Sequence, residues 1–232
     1  MVTLIAITCL ASCINDSASL EESSSYKPEI AAGETHNQIL NEIMSGLLSS
    51  KSRSGEISVD SVRSFCIERA TQSVLESDTE LNYETTRKFI EDISTKSMAE
   101  IKSEMSDKDI KIISSIKEMA DNGANIEDVR TYLKQNDLSE LTMTAAHSFF
   151  DTYISSQQYW LENGDAWVNY IINNVKEANK KNHWYDRVSW TQVAFTDAYF
   201  IWYGTVMSGG NVLVGGGASA VASAYVAIDQ AL

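Results

Sequence analysis

The chain has 232 residues, 44% of them hydrophobic, enough to bury a sizeable core and unlike a disordered composition. Lys and Arg total 18 against 32 Asp and Glu, a formal charge of −14. That charge excludes phosphate-backbone recognition, so no nucleic-acid partner is expected, and it disfavours docking on anionic lipid through charge.

The first element is MVTLIAITCLASC. Residues 2–11 form an uncharged, mostly apolar run of signal-peptide length. A bilayer span takes ~20 residues, so the run is too short to be one. It closes on Leu10-Ala11-Ser12-Cys13: an apolar residue, two small residues, then cysteine. This tetrapeptide resembles the lipobox of bacterial lipoproteins. The resemblance implies a signal peptide over residues 1–12, cleavage before Cys13 and lipid on Cys13. It also implies a membrane-anchored place in the cell envelope, facing the periplasm or the cell surface. No Lys or Arg precedes the run, which departs from the usual positive start. An ordinary secretory signal or a buried first segment are the alternatives.

The cysteines are Cys9, Cys13 and Cys66. Cleavage removes the first and lipidation occupies the second, which leaves no pair for an intramolecular disulfide. Residues 13–34 are polar and Ser-rich and carry the only proline, Pro28. They read as a flexible tether.

From Thr35 onward the apolar period is helical, and an all-α, multi-helix domain is expected over residues 35–232. Ile39, Leu40, Ile43, Met44, Leu47 and Leu48 line one side of the first helix, with His36 expected to support its start. Ser58 is placed to cap a helix whose inner face is Val59, Val62, Cys66, Ala70 and Val74. Asp78 is expected to cap the next, with Phe89, Ile90, Ile93, Ser97, Met98, Ile101 and Met105 as a single stripe. Ser106 and Asp109 start a helix that Asn122-Gly123 stops, and Asn125 caps another. Asp137 and Glu140 have the spacing of a capping box ahead of a longer helix. Gly164-Asp165 is expected to begin a further one.

Of the 21 aromatic residues, 15 fall between positions 149 and 203, including all five tryptophans. The denser core is therefore expected in the C-terminal half. One continuous globule is expected, with subdivision near residue 136 as the alternative.

The end of the chain changes character. Beyond Arg187 only Asp197 and Asp229 are charged, and six of the eleven glycines lie between them. Ser208-Gly209-Gly210-Asn211 breaks the apolar stretch, so residues 188–232 read as a C-terminal helical hairpin. In its second arm Gly215, Ser219, Ser223 and Ala227 recur every four residues, beside a row of Gly216, Ala220 and Ala224. These rows present almost no side-chain bulk, so another helix can approach closely. Tyr199, Phe200, Trp202 and Tyr203 are the bulk expected to lie on them, with Gly204 allowing approach on its own side. This pattern resembles the glycine-zipper tails of bacteriocin-like, membrane-active peptides. A buried hairpin, a membrane-inserting segment and a partner interface all remain open at this point. Asp197 would be costly in lipid unless paired.

The candidate polar site is sparse. His147 and Asp151 share a helix face one turn apart, with Glu140 two turns earlier. They have the residue types of metal ligands and equally of a surface hydrogen-bonded pair. His183 and Asp186 lie in NKKNHWYDR among aromatics. No phosphate-loop, nucleophile-elbow, zinc-protease, calcium-loop or Cys-x-x-Cys pattern occurs, so neither a metal nor another cofactor is expected. The leading expectation is a non-enzymatic envelope lipoprotein, a binding or structural module for an unknown protein or small-molecule ligand. A membrane-active effector and an enzyme with a histidine in an aromatic cleft are the alternatives.

Overall fold

Short polar residues at the starts of apolar-periodic stretches set most of the helix boundaries, because their side chains satisfy the free first-turn amides. The computed structural model describes residues 31–50, 57–176, 178 and 189–232. In order, the helices are α1 (Ala32–Ser50), α2 (Val59–Ser77), α3 (Tyr83–Ser94), α4 (Met98–Glu104) and α5 (Asp107–Asp121). They continue with α6 (Ile126–Lys134), α7 (Glu140–Asn174), α8 (Trp190–Met207) and α9 (Val212–Ala231). The described residues contain no sheet, only an isolated parallel bridge between Ile57 and Val175. The all-α reading holds.

Ser58, Ser106 and Asn125 cap α2, α5 and α6 as their positions predict. Gly123, at φ +79, ends the turn after α5 in the left-handed region that favours glycine. Other boundaries differ. Asn82, not Asp78, caps α3; Asp78 closes α2, its amide donating to the Val74 carbonyl. The stripe from Phe89 to Met105 is split, because Ser97 forms a reciprocal capping box with Glu100 and starts α4 afresh. Asp137 stands outside α7 at φ +45, and Ser139 is its cap, accepting from the Thr142 amide.

Two corrections have tertiary causes. α1 begins at Ala32, inside the stretch read as tether, because its first turn is docked on α7. There the Gly33 amide donates to Asp151 Oδ2 at 2.8 Å. Gly164 starts no helix; α7 runs straight through it. The Trp190 indole lies against that glycine, where a Cβ would come within 2.4 Å of Cζ2.

α1 lies parallel to α7, with Gly33 against Ser155 at one end and the Ser50 hydroxyl against Tyr170 at the other. α8 returns antiparallel along α7, pairing Tyr153 with Phe195 and stacking Trp160 on Trp190 at 5.3 Å between ring centroids. Gly209 and Gly210, at φ +72 and +102, turn the chain into α9. α9 then contacts α1, α2, α3, α7 and α8. A helix with neighbours on every side has no room for large side chains, and this is why the tail is rich in glycine and alanine.

The hairpin therefore exists, with Phe200 of α8 in one apolar cluster with Ala218 and Ala222 of α9, but its tightest crossing is glycine on glycine. At the crossing, a Cβ on Gly204 would stand 2.9 Å from Gly215 Cα, so backbone meets backbone. Phe195, Tyr199 and Trp202 of α8 turn to α7, where Phe149 sits edge-on to each, and the Tyr203 hydroxyl donates to Glu104 on α4. Two apolar clusters result. One joins α1 and α2 to the later part of α7 and one side of α9. The other joins α5, α6 and the early part of α7 to α8, Ala218 and Ala222. Both draw on residues before and after position 136.

Candidate functional site

The most concentrated polar group in the described residues is buried at the centre of the bundle. Asp197, on α8, is fully inaccessible to solvent. Its Oδ2 accepts from Trp160 Nε1 at 2.8 Å and from the Ser156 hydroxyl, both on α7. Its Oδ1 accepts from the Ser223 hydroxyl on α9. The Ser219 hydroxyl, one turn earlier on α9, donates to the Asp197 main-chain carbonyl at 2.8 Å. His36 on α1 completes the group, with Nε2 at 3.2 Å from Ser223 Oγ and 3.7 Å from Asp197 Oδ2. The small row of α9 thus has a polar use: Ser219 and Ser223 are short enough for the helices to close and still carry the hydroxyls the carboxylate needs.

Burial pushes the Asp197 carboxyl up, and His36, Ser156, Ser223 and Trp160 each pull it back down. On the far side of the imidazole, His36 Nδ1 lies 3.0 Å from Asn37 Oδ1. Asn37 is oriented by its own Nδ2, which donates to the Ser155 carbonyl at 3.0 Å. Oδ1 is therefore the atom presented to His36, and Nδ1 carries a proton. The proton that distinguishes a charged His36–Asp197 pair from a neutral one lies on the Nε2 side.

Ser223, His36 and Asp197 are the residue types of a nucleophilic triad, but the geometry is not one. In a triad the carboxylate holds Nδ1 and the hydroxyl faces Nε2. Here carboxylate and hydroxyl both face Nε2, an amide holds Nδ1, and all three side chains are sealed from solvent. The arrangement pins four helices together. Sequence reading placed Asp197 as a group that needs a partner, and Ser219 and Ser223 as packing residues. It placed His36 at a helix start. Only their shared register across α1, α8 and α9 reveals the cluster.

Glu140 and His147 line one small pocket of about 450 Å³ together with Arg130, Lys134, Leu133 and Met143. Desolvation lowers the His147 pKa, and nearby Arg130 adds to that. Asp151 accepts from the Gly33 amide at the start of α1, and burial raises its carboxyl against the opposing effect of that amide. His183, Asp186 and Cys13 lie outside the described residues. No group of three or more His, Cys, Asp or Glu side chains among the described residues is arranged to hold a metal ion. Cys66 is fully buried and desolvation pushes its thiol up to about 12, the setting of an inert packing residue.

The glycine-rich arm also has the length and composition to cross a bilayer: α9 qualifies, and 72% of its most apolar window is buried inside the protein. Compared with protein-family models, curated proteins and solved structures, the chain matches none.

Proposed function

We propose that this chain is a cell-envelope lipoprotein, anchored through lipid on Cys13, whose helical body is a non-enzymatic binding or structural module. The observation that carries the anchoring is Leu10-Ala11-Ser12-Cys13 at the end of an uncharged run. Two features of the body support the rest. The most apolar helix is occupied as the centre of the fold, so the attachment needs a different segment. The Ser, His and Asp side chains with catalytic potential are joined as a sealed pin.

The test is metabolic labelling with a palmitate analogue, followed by membrane fractionation. The wild-type chain should be labelled and sediment with membranes. Cys13→Ala should lose the label and become soluble with its helical circular dichroism intact. Membrane sedimentation without label would reject the anchor.

One observation favours a second reading, a membrane-active effector: α9 is long and apolar enough to enter a bilayer. Its release would require the Ser223 hydroxyl to leave the Asp197 carboxylate and the Ser219 hydroxyl to leave the Asp197 carbonyl. Dye release from lipid vesicles by the full chain, suppressed in Gly216→Leu, would support it. Intact vesicles over a wide range of protein concentration would remove it.

A further inference from the structure

A groove of about 1040 Å³ runs along the surface between α1, α2 and α7. Its chemistry differs from that of the acidic surface around it. Five amide side chains line it: Asn37, Gln38, Asn41, Gln72 and Gln158. Ser45 and Ser155 add hydroxyls, and Phe65 and Ile154 supply its large apolar side chains. In a chain of net charge −14, its charged lining is Glu34, Glu42 and Arg69, and the last two pair with each other at 3.1 Å.

The amides are not all engaged in the same way. Gln38 and Gln72 turn their NH2 groups to the carboxylates of Glu42 and Glu68, at 3.1 and 2.7 Å. Gln158 does the same to Glu162. In Gln38 and Gln158 this leaves the carbonyl oxygens to accept from a ligand. Asn41 makes no hydrogen bond among the described residues, and its amide offers two donor and two acceptor positions. A ligand matched to this lining must donate and accept at closely spaced points and carry no net charge. Hydroxyl groups do both.

The apolar lining narrows the class further. The half-buried Phe65 ring lies against α1 at Gly46, where a Cβ would meet its Cζ at 2.5 Å. An aromatic face set among amides accepts the C–H face of a sugar ring, which carries a partial positive charge against the ring's negative face. An extended peptide is a poorer fit, because the two large apolar side chains leave few sites for its own side chains. A polyanion would meet the protein's negative field.

We propose that the α1–α2–α7 groove binds a neutral oligosaccharide, with hydroxyls on Gln38, Asn41 and Gln158 and one ring face on Phe65. This rests on the reading of the body as a binding module and does not depend on the lipid at Cys13. The groove is also joined to the buried cluster, since Asn37 lines it while orienting His36.

The test is calorimetric titration of the full chain, in a detergent without a sugar headgroup, with maltohexaose, cellohexaose and chitohexaose. One of the three should bind saturably. Asn41 and Gln158 are exposed, so the double variant Asn41→Ala/Gln158→Ala should fold and bind at least about tenfold more weakly. Ser45→Trp should fill the groove and abolish binding with unchanged helical circular dichroism. Should that variant misfold, the double variant decides. Cys13→Ala should bind as the wild type does, which separates this site from the anchor. The proposal is overturned by absence of binding to all three sugars at millimolar concentration. Binding that survives both groove variants also overturns it, as does saturable binding of dextran sulfate or an extended hexapeptide in their place.

Discussion

His36 Nε2 stands 3.7 Å from Asp197 Oδ2, and neither side chain is reached by solvent. The first described helix is thereby tied to the hairpin that ends the chain, through Ser223 of α9 and Ser156 and Trp160 of α7. A buried carboxylate with its donors in place is costly to disturb, because each donor left behind stays desolvated.

Asp197→Ala should therefore destabilise the protein by about 3–5 kcal/mol, and Asp197→Asn, which keeps one acceptor oxygen and the shape, by about 1–2 kcal/mol. Urea unfolding followed by tryptophan fluorescence measures both. The pH dependence has a definite sign. Burial raises the Asp197 carboxyl above its ordinary range, so the folded state holds this proton more tightly than the unfolded chain. Its contribution is full below the unfolded value of about 4 and is lost as pH rises through the raised folded value. The stability gap between wild type and Asp197→Asn should be wider near pH ~4 than near pH ~8. A gap that does not narrow with pH would contradict a raised carboxyl in the folded state.

Neighbouring glycines in α9 should respond oppositely to the same substitution. A Cβ on Gly215 would lie 2.8 Å from the Thr205 backbone nitrogen, so Gly215→Ala forces α8 and α9 apart and should cost about 1–3 kcal/mol. A Cβ on Gly216 meets nothing nearer than Thr35 Cγ2 at 3.8 Å. Gly216→Ala should raise stability by about 0.5–1 kcal/mol through helix propensity alone. Thermal melts of the two variants side by side decide it, and equal destabilisation would contradict the packing of this seam.

Asp151 acts from α7 on the first turn of α1. Removing its carboxylate in Asp151→Ala should cost about 1 kcal/mol, as loss of a helix cap does, and Asp151→Asn only a fraction of that. Hydrogen exchange at the Gly33 amide should quicken in the alanine variant. If Asp151 instead served a ligand alongside His147, the exchange would be unchanged.

How far the sequence was legible follows the range of each interaction. Ser58, Ser106 and Asn125 were readable as caps because a cap and its amide lie within one turn. Gly164 misled, because a glycine that breaks a helix and one that seats a tryptophan from another helix are the same letter. His36 misled for a related reason: a histidine beside a helix start is locally unremarkable, and its partners lie on α8 and α9. The His147–Asp151 pair had correct local spacing, but Asp151 is taken by an amide from α1.

The sequence by itself determined that this is an all-helical, acidic chain ending in a hairpin with small-residue rows, because periodicity, capping and turn chemistry act over a few residues. Only the tertiary structure decided that the second arm of that hairpin is the central helix, with neighbours on all sides, and that a sealed His36–Asp197 cluster lies beside it. Those facts depend on which helix faces come together, and that is settled by closest packing and by the need of every buried polar group to find a partner.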